Sequence, residues 1–343
     1  MSDEAKADAP KADPTKTHVA QTLKHDSPLI ACRFDPSGKY VFAGAEDSRV
    51  WRFALEDGAK TEYAGHESWI RAIAFSPDGK TLVSGGYDGL LAWSAADAET
   101  PAENKPVEPL RTVEAHDGWI RAIAVSPDGA LLASVGNDLV VRLWSMSDGR
   151  PIAELRGHES HIYNVAFHPG GEQLVTGDLK GNFLVWELAS SKELRRFAEP
   201  LLHKYDSTFW ADIGGPRGMA VSADGARLAA SGITNVSNAF AGVGNPTVLV
   251  FDWSTGERKT QHLGKGAPRG TAWGVAFHPD GFTIAASGGS GGFLHFWKPD
   301  EKEDFHQVKL PDTGRDLSLH VDGVTLAACH ANGQLSICKM LAK

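Results

Sequence analysis

Three residue types associated with nucleophilic hydrolysis recur at fixed spacing in this chain of 343 residues. His66, Ser84 and Asp88 make one set; His116, Ser134 and Asp138 repeat it at a constant offset. A serine hydroxyl beside a histidine, with a carboxylate to orient the ring, is the arrangement of nucleophilic catalysis. Recurrence argues the other way. An enzyme needs one such centre, and duplication at constant spacing marks a unit of architecture.

Other chemistry-bearing candidates are weaker. Gly288–Gly292 (GGSGG) resembles a phosphate loop but lacks the lysine and the following helix. A hairpin turn is the better reading. The 14 histidines include no HExxH and no Cys/His ligand cluster. Cys32, Cys329 and Cys338 give neither a disulfide framework nor a paired metal motif, which suits a reducing compartment. A hairpin centred on Asn332 sets Cys329 opposite Leu335 and Cys338 opposite Leu326, so those thiols are out of register and are expected to be free and buried. No cofactor is expected.

The elements that must position these residues are short and numerous. The segment GHESWIRAIAFSPDGKTLVSGGYDG (65–89) returns as AHDGWIRAIAVSPDGALLASVGNDL (115–139) and as GHESHIYNVAFHPGGEQLVTGDLKG (157–181). Weaker copies anchor on one turn glycine, giving Gly38, Gly79, Gly129, Gly171, Gly225, Gly281 and Gly323 at intervals of 41, 50, 42, 54, 56 and 42 residues. A basic period near 42 suits a four-stranded unit of about 40–45 residues. Alternating or apolar runs separated by Gly, Asp, Asn and Pro turns, with almost no helical period, imply an all-β chain. Composition agrees: 42% hydrophobic, 22% charged, 37 glycines and a formal charge of −9, which argues against a general nucleic-acid binder. No apolar run is long enough to span a membrane, and MSDEAKADAPKADPTK has no signal-peptide stretch. A soluble, cytoplasmic protein is expected, with residues 1–16 a disordered tail and 17–343 one domain.

The ordered Gly-His, Ser-Pro-Asp-Gly and terminal Trp landmarks resemble those of the WD-repeat β-propeller family, over about Thr17 to Lys343. Three copies depart from it with Phe53, Phe251 or Cys338 in place of the Trp, and the Asp after it survives only as Asp252. The resemblance implies a seven-bladed β-propeller of four-stranded antiparallel blades. The last copy lacks an outer strand, and the N-terminal Val19–Lys24 is expected to supply it and close the ring. It also implies that His66, Ser84, Asp88 and Trp93, and likewise His116, Ser134, Asp138 and Trp144, form buried hydrogen-bond networks. Copy four keeps His158 and Thr176 but has Lys180 at the Asp position; copies five to seven have Asn245, Gly291 and Asn332. His116→Ala is therefore expected to cost over about 1 kcal/mol, and His158→Ala less.

In the family, two positions at the start of each inner strand face partners at the mouth of the central channel. Eight residues before the turn glycines stand Ile30, Arg71, Arg121, Tyr163, Arg217, Trp273 and Arg315; ten before stand Pro28, Trp69, Trp119, His161, Gly215, Thr271 and Thr313. Arg, Trp and Tyr are the types enriched at interface hot spots, and convergent guanidiniums suit carboxylates or phosphates. Two insertions are expected on the same face over copy five: Glu199–Gly215, with Tyr205, Phe209 and Trp210, and Gly232–Pro246. The segment Ala95–Pro109 is expected on the opposite face as a solvated loop.

The sequence thus reads as a non-catalytic protein-interaction scaffold binding a protein, or an acidic or phosphorylated peptide, as a monomer or within a hetero-complex. Its partner-binding candidates are Trp69, Arg71, Trp119, Arg121, His161, Tyr163, Trp210, Arg217, Phe240, Trp273 and Arg315. One rival is an enzyme or small-molecule binder with a pocket lined by Trp210, Arg217 and Phe240. Another is a single-strand nucleic-acid binder, which the net charge disfavours.

Overall fold

A computed structural model describes residues 11–101, 105–238, 243–289 and 291–343. Seven four-stranded antiparallel sheets follow one another in chain order, and the described residues contain no α-helix. Their inner strands are Leu29–Phe34, Ile70–Phe75, Ile120–Val125, Ile162–Phe167, Gly218–Val221, Gly270–Phe277 and Gly314–Leu319. Residues of these strands from all seven blades line a central cavity of about 590 Å³.

The turn glycine between the first two strands of each blade has a local cause. In blade two the Ser76 hydroxyl donates to Asp78 (2.5 Å) and the Gly79 amide to the Ser76 carbonyl (2.8 Å), with Gly79 at φ +72°. A side chain there would be strained, so the SPDG motif fixes the turn and the register of the strands it joins. Between blades, apolar faces interdigitate: Val83, Leu91 and Trp93 of blade two pack with Ile120, Leu132 and Trp144 of blade three.

Closure occurs as the repeat count implied. His18–Lys24 pairs antiparallel with Gln334–Lys339 as the fourth strand of blade seven, from His18 opposite Lys339 to Lys24 opposite Gln334. Across the seam Leu29, Cys32 and Val41 pack on Ala327, Cys329 and Ile337. Of the tail expected at 1–16, residues 1–10 lie outside the described residues, whereas Pro14–Lys16 form a 3-10 turn and the Asp13 amide donates to the Met340 carbonyl (2.8 Å).

Three sequence expectations need correction. The described parts of Gly232–Pro246 are not loop but paired strand, in Arg227–Asn238 and Val243–Asp252, and residues 239–242 lie outside the described residues. Glu199–Gly215 likewise folds, as a short 3-10 turn and a two-stranded hairpin, His203–Asp206 with Ala211–Gly214. The third insertion is not simply solvated. Val107 bridges Tyr63 at the edge of blade one, Ala96 and Val107 are buried, and Thr100 bonds Thr61 (2.6 Å). Part of Ala95–Pro109 thus covers the exposed edge of the neighbouring blade, where bare backbone groups would invite pairing with another chain.

Candidate functional site

The hydrolase-like sets are buried inside the blades. In blade three the Trp144 indole donates to the Ser134 hydroxyl (2.8 Å), that hydroxyl bonds His116 Nε2 (2.7 Å), and His116 Nδ1 bonds Asp138 (2.9 Å). Donors and acceptors match when Ser134 donates to Nε2 and Nδ1–H donates to the carboxylate. The His116 side chain has no solvent exposure, so no substrate reaches the hydroxyl. Blade two repeats the trio, with His66 bonded to Ser84 (2.8 Å) and Asp88 (3.1 Å). Gly86 leaves room for it, since a Cβ there would sit 2.6 Å from His66 Nδ1. Burial raises the Asp88 pKa, but bonds from His66 and from the Leu90 and Glu67 amides outweigh it and hold it below the usual value.

Two assignments change. Trp93 is not the fourth member in blade two: its indole donates to the Met146 carbonyl of blade three (3.1 Å) and ties the blades together. Blade four is not incomplete. Asp178, at the end of the second strand, bonds His158 Nδ1 (2.9 Å), Thr176 bonds Nε2 (2.7 Å), and Trp186 donates to Thr176 (2.9 Å). Lys180 merely donates its amide to Asp178. Blade six carries a trio that fixed spacing does not reveal, in which His295 bonds Ser287 (2.9 Å) and Asp304 (2.7 Å).

The channel mouth is organised by a repeated β-bulge. Pairing between the first two strands shifts register at Ile30, Arg71, Arg121, Tyr163, Trp273 and Arg315. A bulge leaves one residue unpaired and re-aims its side chain. In blade five Arg217 immediately precedes the inner strand. All seven residues, with Trp69 and Tyr87, line one cavity of about 110 Å³. The mouth therefore contains the whole set read eight residues before the turn glycines.

Its walls alternate cations and rings. Arg121 lies 4.7 Å from the Trp119 ring centre and 4.6 Å from that of Tyr163; Arg217 lies 4.5 Å from Tyr163 and 5.2 Å from Trp273; Arg71 lies 5.8 Å from Trp273. On the rim Tyr87 stacks on Trp119 at 4.2 Å and also meets Trp69, tilted, at 6.0 Å. Trp69 and Trp119 remain 44% and 43% exposed. The hydrogen-bond acceptors of Arg121 and Arg71 are neutral: Arg121 donates to the Asn137 side chain (2.9 Å), and Arg71 to the Ile30 (3.1 Å) and Arg217 (3.4 Å) carbonyls. Arg217 Nε is shut away from solvent without a partner. Burial lowers the Arg217 pKa, Tyr163 opposes that, and Arg121 and Arg71 lower it further. Burial and the Arg121 charge likewise lower the pKa of exposed His161 at the rim. Arg315 differs, standing 3.7 Å from Glu46.

Tyr87 and Asn137 were not singled out from sequence. Each immediately precedes the trio aspartate, in the turn between second and third strands, and that shared offset could have found them. Trp210 is not among the residues lining the mouth cavity; it sits at the hairpin turn of 203–214, 83% exposed. Phe240 lies outside the described residues. The two hairpins of blade five meet where Lys204 Nζ donates to the Val236 carbonyl (2.5 Å). Cys32, Cys329 and Cys338 are free and buried, and burial pushes Cys338 up to about 12, far from a reactive thiolate. Among the described residues no group of three or more His, Cys, Asp or Glu could hold a metal ion, and no helix is long and apolar enough to cross a membrane.

The family model "WD domain, G-beta repeat" matches residues 17–51, 59–92, 107–145, 149–187 and 260–298. Curated relatives agree over shorter spans. The chain is 27% identical to the nuclear distribution protein nudF of Emericella nidulans over 200 residues, 53% of this chain and 45% of that protein. It is 32% identical over 90 residues to the serine-threonine kinase receptor-associated protein of Bos taurus, 26% of this chain and 24% of that one. Against transcription initiation factor TFIID subunit 5 of Caenorhabditis elegans it is 24% identical over 165 residues, 48% of this chain and 24% of that one. It spans at most about half the length of these relatives. With seven four-stranded blades in the ring and five of its repeats matched, the chain belongs to the WD40-repeat family.

Proposed function

We propose that this propeller is a non-catalytic scaffold that holds a partner protein by an acidic or phosphorylated segment laid across the channel mouth. The observation that supports it is the convergence of Arg71, Arg121 and Arg217 among exposed tryptophans with neutral acceptors only. Structural arginines in a folded interior are normally paired with carboxylates, because an unpaired buried cation is destabilising. Here the missing counter-charge is assigned to the partner. Relatives whose names place them in nuclear distribution, at a kinase receptor and in a transcription initiation complex suit a module that binds other proteins. The test is affinity capture at native salt with the wild type and with an Arg71→Glu/Arg121→Glu/Arg217→Glu variant. A partner lost from the folded variant supports the assignment; a partner retained by it moves the site elsewhere.

A further inference from the structure

The throat of the mouth is more specific than an acidic-peptide surface requires. Arg71, Arg121 and Arg217 line both the 110 Å³ mouth cavity and the 590 Å³ channel cavity, so they form the constriction between the two. Tyr163 and Trp273 separate the guanidiniums and hold them facing inward. The nearby acids are spent on other arginines: Asp316 of the channel wall on Arg33 (2.7 Å), and Glu46 on Arg315 (3.7 Å), the fourth arginine of the mouth. The buried Arg217 Nε is one donor left over. Three like charges without an acid, one with an unspent donor, are stable together only weakly, and a single centred anion would relieve all three contacts.

We infer that this constriction is a socket for one tetrahedral phosphate group. The mouth cavity is small, about 110 Å³, yet well above the roughly 10–15 Å³ that a single water needs. It has room for one oxyanion, such as inorganic phosphate or the phosphoryl group of a phosphoserine. Charge favours the dianion over a carboxylate, because one carboxylate neutralises a single guanidinium and leaves the other two opposed. The inference rests on the reading of the mouth as a binding face. It adds the chemical group and the atoms that take it.

The full-length protein is titrated with inorganic phosphate at constant ionic strength, with acetate as the control, while melting temperature and 31P line width are followed. A saturable rise in melting temperature with phosphate and none with acetate is expected. Arg121→Gln and Arg71→Gln, which remove one charge without reversing it, should each weaken that response about tenfold or more. No saturable response from folded wild type, or an undiminished one in both variants, overturns the socket. A phosphoserine peptide that displaces inorganic phosphate identifies an ester on a chain as the occupant, and bound phosphate that the peptide leaves in place identifies the free ion. A Trp69→Ala/Trp119→Ala variant separates the two readings: loss of the partner with phosphate binding intact leaves the socket standing and locates the peptide surface on the rim. Should the wild type capture no partner yet bind phosphate, the scaffold reading fails and the socket does not.

Discussion

Polar residues are used in two opposite ways within a short distance of one another. Inside blades two, three and four, both ring nitrogens of the trio histidine have partners, and the hydroxyl and carboxylate of each trio are engaged too. At the channel mouth, the guanidiniums of Arg71, Arg121 and Arg217 meet rings, an amide and carbonyls, and no acid among the described residues. Satisfied buried polarity specifies structure, because removing any member strands the others. Polar groups without such partners add no comparable specificity to the fold, and those of the mouth are the ones we propose to serve binding. Residue type alone does not separate the two uses, since Arg142 of blade three is spent beside Asp138 and Glu154.

The largest expected effect tests the satisfied half. His116→Ala and His158→Ala should each destabilise by about 2–4 kcal/mol, since each strands a buried carboxylate and hydroxyl. The His158 and Asp178 side chains are 0% and 1% exposed, against 0% and 10% for His116 and Asp138, so His158→Ala should cost at least as much. This reverses the order expected from sequence. Urea denaturation of both variants checks it, and a near-neutral His158→Ala would show that the blade-four trio is decorative.

Acid should expose incomplete satisfaction in the later blades. Burial holds His262 and His330 at about 4, below their ordinary 6.5, and each ring keeps one nitrogen without a partner. Such a group takes up its proton first in the unfolded chain. The stability it contributes is full above about 6.5 and declines as pH falls toward about 4. By pH 5 the loss should be roughly 1–2 kcal/mol per histidine. Below that, Asp88 and Asp178, held under their usual value, add a second decline as they protonate. Urea midpoints between pH 7.5 and 4.5 measure the slope, and His262→Gln should flatten its upper part.

How far these sites could be read from sequence follows from what sets their positions. The mouth transfers by counting, because the bulge recurs at the same place in six inner strands and places the same offset in the channel each time. The trios do not. In blades two and three His and Asp lie 22 residues apart, but in blade four 20, because Asp178 ends the strand instead of sitting in the turn. In blade six the histidine moves to the third strand and the aspartate to the loop after it. A hydrogen-bond network needs its members close in space, and several chain positions meet that need. Blade five hid its long hairpin for another reason: the arms of Arg227–Asn238 and Val243–Asp252 carry Gly, Asn and Ser and look like loops until they pair.

Neutral substitution at the mouth should have a small effect on folding, which sharpens the contrast with the trios. Arg121→Gln removes one of three like charges and leaves the Asn137 side chain partly exposed to water. Its stability should lie within about 0.5–1 kcal/mol of wild type, and removing the repulsion with Arg217 favours the variant. A calorimetric scan in phosphate-free buffer measures it. A loss as large as that from His116→Ala would mean the arginines hold the ring together, and the division between spent and unspent polarity would fall.

The smallest effect is expected at Trp210, which is 83% exposed and carries a backbone φ of +55°. That left-handed conformation is unfavourable for a bulky side chain and suits glycine or asparagine. With so little of its ring buried, Trp210→Gly forfeits almost no packing and relieves the strain. Stability should hold or rise by a few tenths of a kcal/mol, up to about 1. If a partner uses this hairpin as well as the mouth, the same substitution weakens capture while melting is unchanged. Trp210 would then belong, with the arginines, to the residues whose local disadvantage is retained for binding. Unchanged capture would leave the mouth as the binding surface and the hairpin tip as an ornament of blade five.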